Sequence, residues 1–278
     1  MLQARHPSRP ATNCSSMTYS GTALAADPVH VERVSSAAQA VTLRRPYAEE
    51  AHTLDDPPAD LHEHIAALSA HPDFHGYAPT GWSVKIVDLS KVIALQPMVF
   101  WDYARERTNL AQNGNMAELA KISIPIRSGP ENIPVQFDQL RNTWMITSRN
   151  PNLKVVGNFS APVMNGSQQF TGVGFMVTIM PSFIQVVRYR NRLVLRDGYH
   201  RSLGLLSRGI HRVPVLFKEF GNFDPMGIGP GMLPDAAYLG DRPPFLADYL
   251  DNTVSAEVNL PATQKMIVVQ GIEMNPMG

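Results

Sequence analysis

Hydrophobic and polar positions change their spacing several times along the chain, and each spacing predicts a type of element. Leu61, Ile65 and Leu68 recur at helical spacing, which predicts a short amphipathic helix over residues 60–70. Residues 83–89 alternate between apolar and polar side chains in the manner of a strand. The first part of the folded chain is therefore predicted to mix both element types.

The pattern continues as helix, then mainly strand, with glycine and proline between elements. Residues 99–121 predict one or two helices, broken at Asn113-Gly114-Asn115. A Gly- and Pro-rich loop is expected over 221–245, with a helical turn at 246–250. Short strands are predicted at 122–126, 133–137, 143–147, 155–159, 175–180, 213–217, 254–260 and 266–269.

The clearest unit is a strand, a tight turn, a return strand and a helix. Residues 183–189 and 192–195 are mainly apolar, with Gln185, Arg188 and Arg192 as exceptions, and lie on either side of Arg190-Asn191, which predicts a hairpin. Residues 199–208 carry leucines at helical spacing, and Gly209 stands where a glycine commonly ends a helix. Taken together, these patterns predict an α/β (α+β) fold with a small mixed sheet.

Composition sets limits on this fold. The chain has 278 residues, 44% hydrophobic and 17% charged, so it can form a sizeable core in one or two domains. Lys and Arg together number 24, as do Asp and Glu, and this zero net charge disfavours binding to duplex DNA through phosphates alone. The single cysteine, Cys14, excludes an intramolecular disulfide and a cysteine metal cluster. No apolar run has the length of a membrane helix, so we expect a cytoplasmic protein without membrane contact.

Four regions follow from the composition and the pattern together. Residues 1–55 lack periodicity and are expected to be a disordered tail. Residues 56–80 are expected to be a linker with a short helix. Residues 81–221 form the predicted main domain, and residues 222–278 a loop-rich extension with short strands.

The sequence between the return strand and the last helix is suited to holding an anion. Gly198 allows a ligand close to the backbone, and a helix N-terminus offers free N–H groups with partial positive charge. His200 and Arg201 in the first helical turn would add side-chain donors, and Arg matches phosphate geometry. Asp197 would orient His200, cap the helix or accept a proton. A purely structural role stays open for Asp197, Tyr199 and His200.

Residues 184–217 resemble the core signature of the ParB/sulfiredoxin superfamily. The resemblance rests on Val194-Leu195-Arg196-Asp197-Gly198-Tyr199-His200-Arg201, on the helix after it and on Val213-Pro214-Val215, and more loosely on residues 87–92 with Gln96-Pro97. It implies a small α/β domain that binds a nucleotide phosphate at this turn through Gly198, Tyr199, His200 and Arg201. Asp197 and His200 would be the catalytic candidates, and Mg²⁺ would accompany ATP, ADP or CTP.

The chain departs from that family at several positions. Tyr199 stands where the reductase branch has its catalytic cysteine, so reductase chemistry is not expected. The Asp-Gly-x-His-Arg form is nearest to the free-serine-kinase-like and uncharacterised branches. Those kinases also use a Glu from the opening segment, and no clear motif in this chain matches it. Glu106 and then Asp102 are the nearest candidates. The distance between Pro97 and Phe183 exceeds the family's usual spacing, which predicts an insertion.

Three functions are therefore compared with the structure. The first is nucleotide-phosphate binding with phosphoryl transfer or nucleotide hydrolysis, acting on a small molecule or a protein. The second is a DNA-binding or nuclease-like member of the superfamily, supported by Arg188, Arg190, Arg192 and Arg196 in the hairpin. The third is a non-catalytic module that senses a nucleotide or contacts a partner. Gly227-x-Gly229-x-Gly231 is interpreted as a flexible loop and not as a phosphate loop. His62-x-His64 is interpreted as part of a solvated segment, so no metal site is predicted.

Overall fold

The computed structural model describes residues 2–4, 12–13, 28–48, 54–112, 114–129, 132–150, 152–222, 232–260 and 265–271. It has a mixed α+β architecture, as the sequence pattern predicts. The α-helices are α1 Pro28–Thr42, α2 His62–Ala70, α3 Trp101–Thr108, α4 Met116–Ser123, α5 Tyr199–Leu206 and α6 Asp235–Tyr238. Short 3₁₀ turns lie at Ala59–Leu61, Pro72–Phe74, Ala78–Thr80, Leu89–Lys91 and Leu246–Leu250.

The strands form four sheets within the described ranges. They are β1 Leu2–Ala4, β2 Thr12–Asn13, β3 Ser83–Asp88, β4 Ile93–Ala94, β5 Met98–Phe100, β6 Val135–Asp138, β7 Thr143–Ser148, β8 Leu153–Asn165, β9 Gln168–Ile179, β10 Gln185–Tyr189, β11 Arg192–Asp197, β12 Arg212–Phe220, β13 Ala256–Leu260 and β14 Lys265–Gln270. The central sheet has the order β3-β12-β10-β11-β4 and is mixed, because β12 runs parallel to β10 while β11 runs antiparallel to it.

The chain divides into two compact units. The first comprises residues 1–126 and 182–262 and contains the central sheet, while the second comprises residues 127–181 and 263–278. The second unit holds the β14-β7-β6 sheet and the β8-β9 pair. Its first segment falls within the stretch where an insertion is predicted.

The first unit buries both faces of its central sheet. On one face Val186, Leu193 and Leu195 pack in a cluster with residues of α3 and α5. On the other face lie two clusters, one with Val187 and Val194 and one that includes residues of α2 and α4. Since side chains of a strand alternate between faces, strands buried on both faces read as continuous apolar runs, and residues 183–189 have that pattern.

Two of the predicted boundaries need correction. The segment 56–80 is not a linker, because Leu61, Leu68 and Phe74 are buried in the core of the first unit. The segment 222–278 is not one extension either, because β14 pairs with β7 of the second unit. Contacts between segments that are distant in the sequence determine both outcomes. The local composition of a segment does not reveal such contacts.

The prediction of disorder over residues 1–55 fails for α1 and the residues after it. The end of this segment is anchored to the first unit, since Arg44 bonds Asp248 over 2.7 Å and lies 3.4 Å from Asp251. The remaining parts of 1–55 lie largely outside the described residues. The strand predicted at 122–126 is also wrong, because Ile122 and Ser123 complete α4.

Candidate functional site

The turn after β11 has the conformation that its glycine predicts. Gly198 has a φ of +92° and directly precedes α5. A Cβ at this position would lie 2.7 Å from the Cα of Ile184 and 3.0 Å from the carbonyl oxygen of Phe183. Both the left-handed backbone and the lack of space therefore require glycine here.

The start of α5 presents backbone donors on this turn. Ser202 donates its N–H to the carbonyl of Gly198 over 2.9 Å, so the N–H groups of residues 199–201 precede this first helical hydrogen bond. Gly198 donates its own N–H to Oδ1 of Asp197 over 2.7 Å. Asp197 therefore bonds the turn itself and does not cap the helix with its side chain, which answers one of the alternatives left open by the sequence.

Asp197 lies beside Gly198 and Arg201 at the start of α5, and we call the space next to its carboxyl the recess. The residue is exposed to solvent, yet the surrounding protein atoms raise the pKa of its carboxyl above the ordinary value. Burial is the largest cause of this shift, and the Gly198 N–H and the charges of Arg201, Arg196 and Arg107 oppose it. An exposed carboxylate with a dense protein environment is the arrangement expected at the floor or wall of a depression.

Arg201 forms the cationic side of this recess. Its guanidinium is largely enclosed and donates to the carbonyl oxygen of Ser182. Burial, followed by the charge of Arg107, lowers the pKa of Arg201 to about 10, while Asp197 acts in the opposite direction. A buried arginine next to a second arginine gains free energy from a bound anion, since the anion offsets both desolvation and repulsion.

Arg107 reaches this site because α3 and α5 approach each other closely. A Cβ on Gly204 of α5 would collide with the carbonyl oxygen of Ala104 and with the side chain of Thr108, both on α3. Glycine at this position therefore lets the two helices pack in direct backbone contact. Arg107, one residue before Thr108, is held near Arg201 as a result.

A chain of directional hydrogen bonds borders the recess on another side. Arg196 donates to Oε1 of Gln185, whose Nε2 donates to the hydroxyl oxygen of Tyr77 over 3.2 Å. Because an arginine only donates, the amide oxygen of Gln185 has to face it, which directs the amide nitrogen to Tyr77. The hydroxyl hydrogen of Tyr77 is left for another acceptor. Burial, followed by the charge of Asp197, raises the pKa of Tyr77.

His200 is enclosed by aromatic rings. Its imidazole stacks on Phe100 with a centroid distance of 6.0 Å and meets Tyr103 edge-on at 5.5 Å. Its Nε2 atom is buried. The ring edge that carries Nε2 therefore does not face solvent, and the structural alternative for His200 gains support.

Tyr199 is a structural residue through its side chain. The ring is buried, and the hydroxyl accepts the N–H of Leu95 over 2.8 Å and that of Gln96 over 3.2 Å while donating to the carbonyl of Leu195 over 2.7 Å. Burial raises the pKa of this phenol well above its ordinary value. Only the backbone of Tyr199 is in a position to meet a ligand at the turn.

The structure thus groups some predicted residues and adds others. Asp197, Gly198 and Arg201 form the recess, while the side chains of Tyr199 and His200 face protein. Arg107, Tyr77 and Gln185 belong to no sequence motif that predicts a site. Arg196 was noted only as one of the basic residues of the hairpin.

Other sequence candidates lie elsewhere. Glu106 is exposed on α3, and Asp102 is partly buried near the start of the same helix. His64 contacts the carbonyl of Ile124 through Nε2 at 2.9 Å, and within the described ranges no three His, Cys, Asp or Glu side chains could hold a metal ion. The Gly227-x-Gly229-x-Gly231 segment lies outside the described residues. No helix in the described part of the chain has the length and apolar character needed to cross a membrane.

A separate cavity of about 500 Å³ lies in the first unit. Its walls are mainly apolar and carry four charged side chains, Arg44, Asp241, Arg242 and Asp248. The ion pair of Arg44 with Asp248 forms part of this wall. None of the residues of the turn lines the cavity, so its size does not alter the choice of Asp197 to Arg201 as the candidate site.

Comparisons with known proteins add no relative to this description. Neither the protein-family models, nor the curated proteins, nor the solved structures contain a match to this chain. Local geometry and charge therefore carry the functional argument alone.

Proposed function

We propose that the protein binds the phosphate of a nucleotide in the recess formed by Asp197, Gly198 and Arg201. The observation that carries this proposal is the convergence of three arginines, Arg107, Arg196 and Arg201, on one exposed carboxylate. They come from α3, β11 and α5, so the grouping results from the fold and not from a charged run of sequence. Guanidinium groups from three elements near one turn suit the oxygens of a phosphate, since arginine donors match phosphate geometry.

Each part of the recess has a role in this proposal. The N–H groups at the start of α5 would donate to a phosphate oxygen, and Gly198 holds the left-handed turn from which this helix starts. Arg201 and Arg107 supply charge, and the hydroxyl hydrogen of Tyr77 is a further donor whose direction Gln185 fixes. Arg196 orients Gln185 and adds to the local positive potential.

Asp197 is the residue of the turn suited to chemistry. Its raised pKa keeps the carboxyl closer to the working range of a general base than an ordinary aspartate. Its exposed oxygen could also share a Mg²⁺ ion with phosphate oxygens, which is how proteins commonly hold this ion. Phosphoryl transfer or nucleotide hydrolysis is the reaction class that these groups support. His200 would contribute its backbone and its packing, since its Nε2 is enclosed.

A thermal-shift screen with ATP, ADP, CTP and GTP, each with and without Mg²⁺, tests the binding proposal. A nucleotide at about one hundred times its dissociation constant would stabilise the folded state by about 2.7 kcal/mol, which raises the melting temperature by about 5–10 °C. Arg201→Gln is expected to abolish this shift. Lack of stabilisation of the wild-type protein by any of the four nucleotides would refute the proposal.

Binding without catalysis is the alternative that a specific observation favours. Among the residues that the structure describes, the turn brings one carboxylate, Asp197, to the recess, and the Nε2 of His200 is buried. Phosphate release measured with the nucleotide found in the screen separates the two cases. Turnover that Asp197→Asn removes supports catalysis, while tight binding with no turnover supports a nucleotide-sensing module.

The hairpin arginines give the DNA-binding alternative little support. Arg188 is paired with Glu219 over 2.5 Å, and Arg192 donates to the carbonyl oxygens of Tyr238 and Gly240 over 2.8 Å each. Arg196 bonds Gln185. These three arginines take part in contacts within the protein, while Arg190 is exposed at the turn and lies over the ring of Tyr189.

A further inference from the structure

The cavity of about 500 Å³ in the first unit has walls from three parts of that unit. The end of α1 supplies Val41, the segment around α6 supplies Leu233, and the residues after the last 3₁₀ turn supply Val254. Small-molecule sites in proteins have volumes of roughly 300–1,000 Å³. The cavity is therefore large enough for a ligand with a sizeable apolar body.

Hydrogen bonds between distant segments hold these walls in place. Leu233 donates its N–H to the carbonyl of Leu95 over 2.7 Å, and Ala94 donates its N–H to the carbonyl of Pro244 over 2.9 Å. The carbonyl of Gly240 accepts from the Arg192 side chain of β11 over 2.8 Å. These bonds join the lining segment to the central sheet. The cavity is therefore formed before a ligand arrives, and binding requires little ordering of the chain.

Two of the four charged groups at the cavity neutralise each other. Arg44 donates to Oδ2 of Asp248 over 2.7 Å and lies 3.4 Å from Asp251. Oδ2 of Asp248 also accepts the N–H of Phe245 over 2.9 Å. The charge of Arg44 is thus balanced by the protein itself, and a ligand does not have to supply its partner.

The other two charged groups, Asp241 and Arg242, are adjacent in the sequence. The carbonyl of Asp241 accepts the N–H of Tyr47 over 2.6 Å, and Nε of Arg242 donates to the carbonyl of Arg44 over 2.9 Å. Within the part of the chain that the structure describes, the carboxylate of Asp241 and the two terminal nitrogens of Arg242 bond neither each other nor another group. Both residues are exposed and line the cavity, so an acceptor and a donor fork lie at its open side.

We propose that this cavity binds a free α-amino acid with a large apolar side chain. The carboxylate of the ligand would pair with Arg242, its ammonium group with Asp241, and its side chain would lie against the apolar wall. The two charged groups of such a ligand are attached to one carbon atom. Their close spacing suits two neighbouring residues, whose Cα atoms are about 3.8 Å apart. The proposal is independent of nucleotide binding, since no residue of the turn at Gly198 lines the cavity.

The charges at the cavity favour this class over ligands with a charge of one sign. An amphipathic anion would meet the guanidinium of Arg242 but also the carboxylate of Asp241, and an apolar amine would meet the reverse combination. A wholly apolar ligand would cover both charged groups without offering either a partner, which costs free energy. A head group with both signs gives each residue a partner, and the apolar wall accounts for the apolar side chain.

Isothermal titration calorimetry of the full chain with L-phenylalanine tests the proposal. We expect saturable binding of one molecule per chain. Two analogues should bind about tenfold or more weakly: 3-phenylpropanoate, which lacks the ammonium group, and 2-phenylethylamine, which lacks the carboxylate. L-Serine keeps both charges but has a small polar side chain, and is expected to bind about tenfold or more weakly as well.

Two substitutions with matched controls locate the binding. Arg242→Gln removes the donor fork and should weaken L-phenylalanine binding about tenfold, while Arg45→Gln, at an exposed arginine outside the lining, should stay within about twofold of the wild type. Ala236→Leu fills part of the cavity from an exposed helical position and should weaken binding about tenfold. Ala38→Leu makes the same change at an exposed position of α1 outside the lining, and should bind within about twofold of the wild type.

A change of ligand preference tests the role of Asp241. Asp241→Asn removes the carboxylate that repels 3-phenylpropanoate, so the preference for L-phenylalanine over this analogue should fall about tenfold. An unchanged preference would overturn the proposal, as would equal binding within either pair of matched variants. Absence of saturable binding of L-phenylalanine, L-leucine and L-tryptophan to the wild type at about 10 mM would also overturn it. Circular dichroism identifies a variant that fails to fold.

Discussion

In two antiparallel hairpins of this protein, the burial of the apolar side chains is the opposite of what the charge of each hairpin suggests. The hairpin β10–β11 carries several arginines, yet its apolar residues are fully buried and its strands occupy the middle of the central sheet. The β8–β9 ribbon is almost uncharged, yet it exposes most of its large apolar side chains. Strand hydrophobicity alone therefore does not determine burial.

The difference lies in what each hairpin is packed against. Val186 and Val187 are both 0% exposed because clusters of side chains cover the two faces of the central sheet. Arg188, Arg192 and Arg196 of that hairpin donate to carboxylate, carbonyl and amide oxygens respectively, which is how charge is accommodated close to a core. Among the described residues, the two strands of the ribbon pair only with each other, and Phe159, Phe170 and Phe175 are each 49% exposed.

The largest effect is expected at the glycine that ends the buried hairpin. Gly198→Ala combines a left-handed φ with a clash against the backbone of Ile184, and should lower the free energy of unfolding by about 2–4 kcal/mol. Gly209→Ala is the matched control, because Gly209 has a φ of +74° with open space around its Cβ position. It should cost about 1 kcal/mol. Urea unfolding measures both, and equal losses would show that the crowding at Gly198 is not real.

A pair of valine truncations tests the contrast in burial directly. Val187→Ala removes two methyl groups from a fully buried position and should lower the free energy of unfolding by about 2–3 kcal/mol. Val173→Ala makes the same change at a ribbon residue that is 72% exposed, and should cost less than about 0.5 kcal/mol. Similar losses at the two sites would contradict the different environments described for the two hairpins.

Anion affinity is expected to depend on the protonation of Asp197. The folded protein raises the pKa of Asp197, so its carboxylate loses its negative charge as the pH falls through a range above the ordinary value. Loss of that charge beside Arg201 should strengthen binding of sulfate, whose own charge stays constant there, by about tenfold. Affinity should fall again as the pH rises. Isothermal titration calorimetry with sulfate from pH 4 to 8 measures this pH dependence of the affinity. In Asp197→Asn, the part of the pH dependence that comes from Asp197 should disappear.

A smaller effect is expected from the hydroxyl of Tyr77. Tyr77→Phe removes a donor that Gln185 directs and should weaken anion binding about three- to tenfold. Tyr47→Phe serves as a control, since Tyr47 stacks on Phe245 and is not part of the recess. Equal affinities for the two variants would remove Tyr77 from the site.

Local features of the buried hairpin could be predicted from the sequence, because short-range physics decides them. Arg190 and Asn191 have φ values of +47° and +57°, as a two-residue turn between twisted strands requires. Gly209 has the left-handed φ of a helix terminus, and Ile210 donates its N–H to the carbonyl of Leu205. The turn at Gly198 and the helix after it follow from the same local preferences.

The rest depends on contacts between distant segments. Arg107 and Tyr77 join the recess only because α3 packs on α5 and because Gln185 bonds Tyr77, and neither contact leaves a pattern in the sequence. The ribbon was predicted as two short strands, since glycines and Pro162 interrupt its periodicity. In the structure a large side chain of the paired strand fills the space beside each of these glycines.

The central claim is that Arg201 binds a nucleotide phosphate at the recess. The most direct test is the dissociation constant of the stabilising nucleotide for the wild-type protein, for Arg201→Gln and for Arg188→Gln, whose arginine is paired with Glu219 on the same hairpin. Loss of a buried phosphate contact should weaken binding about 10- to 100-fold in Arg201→Gln. Arg188→Gln should bind within about twofold of the wild type. Equal binding by all three proteins would contradict the claim.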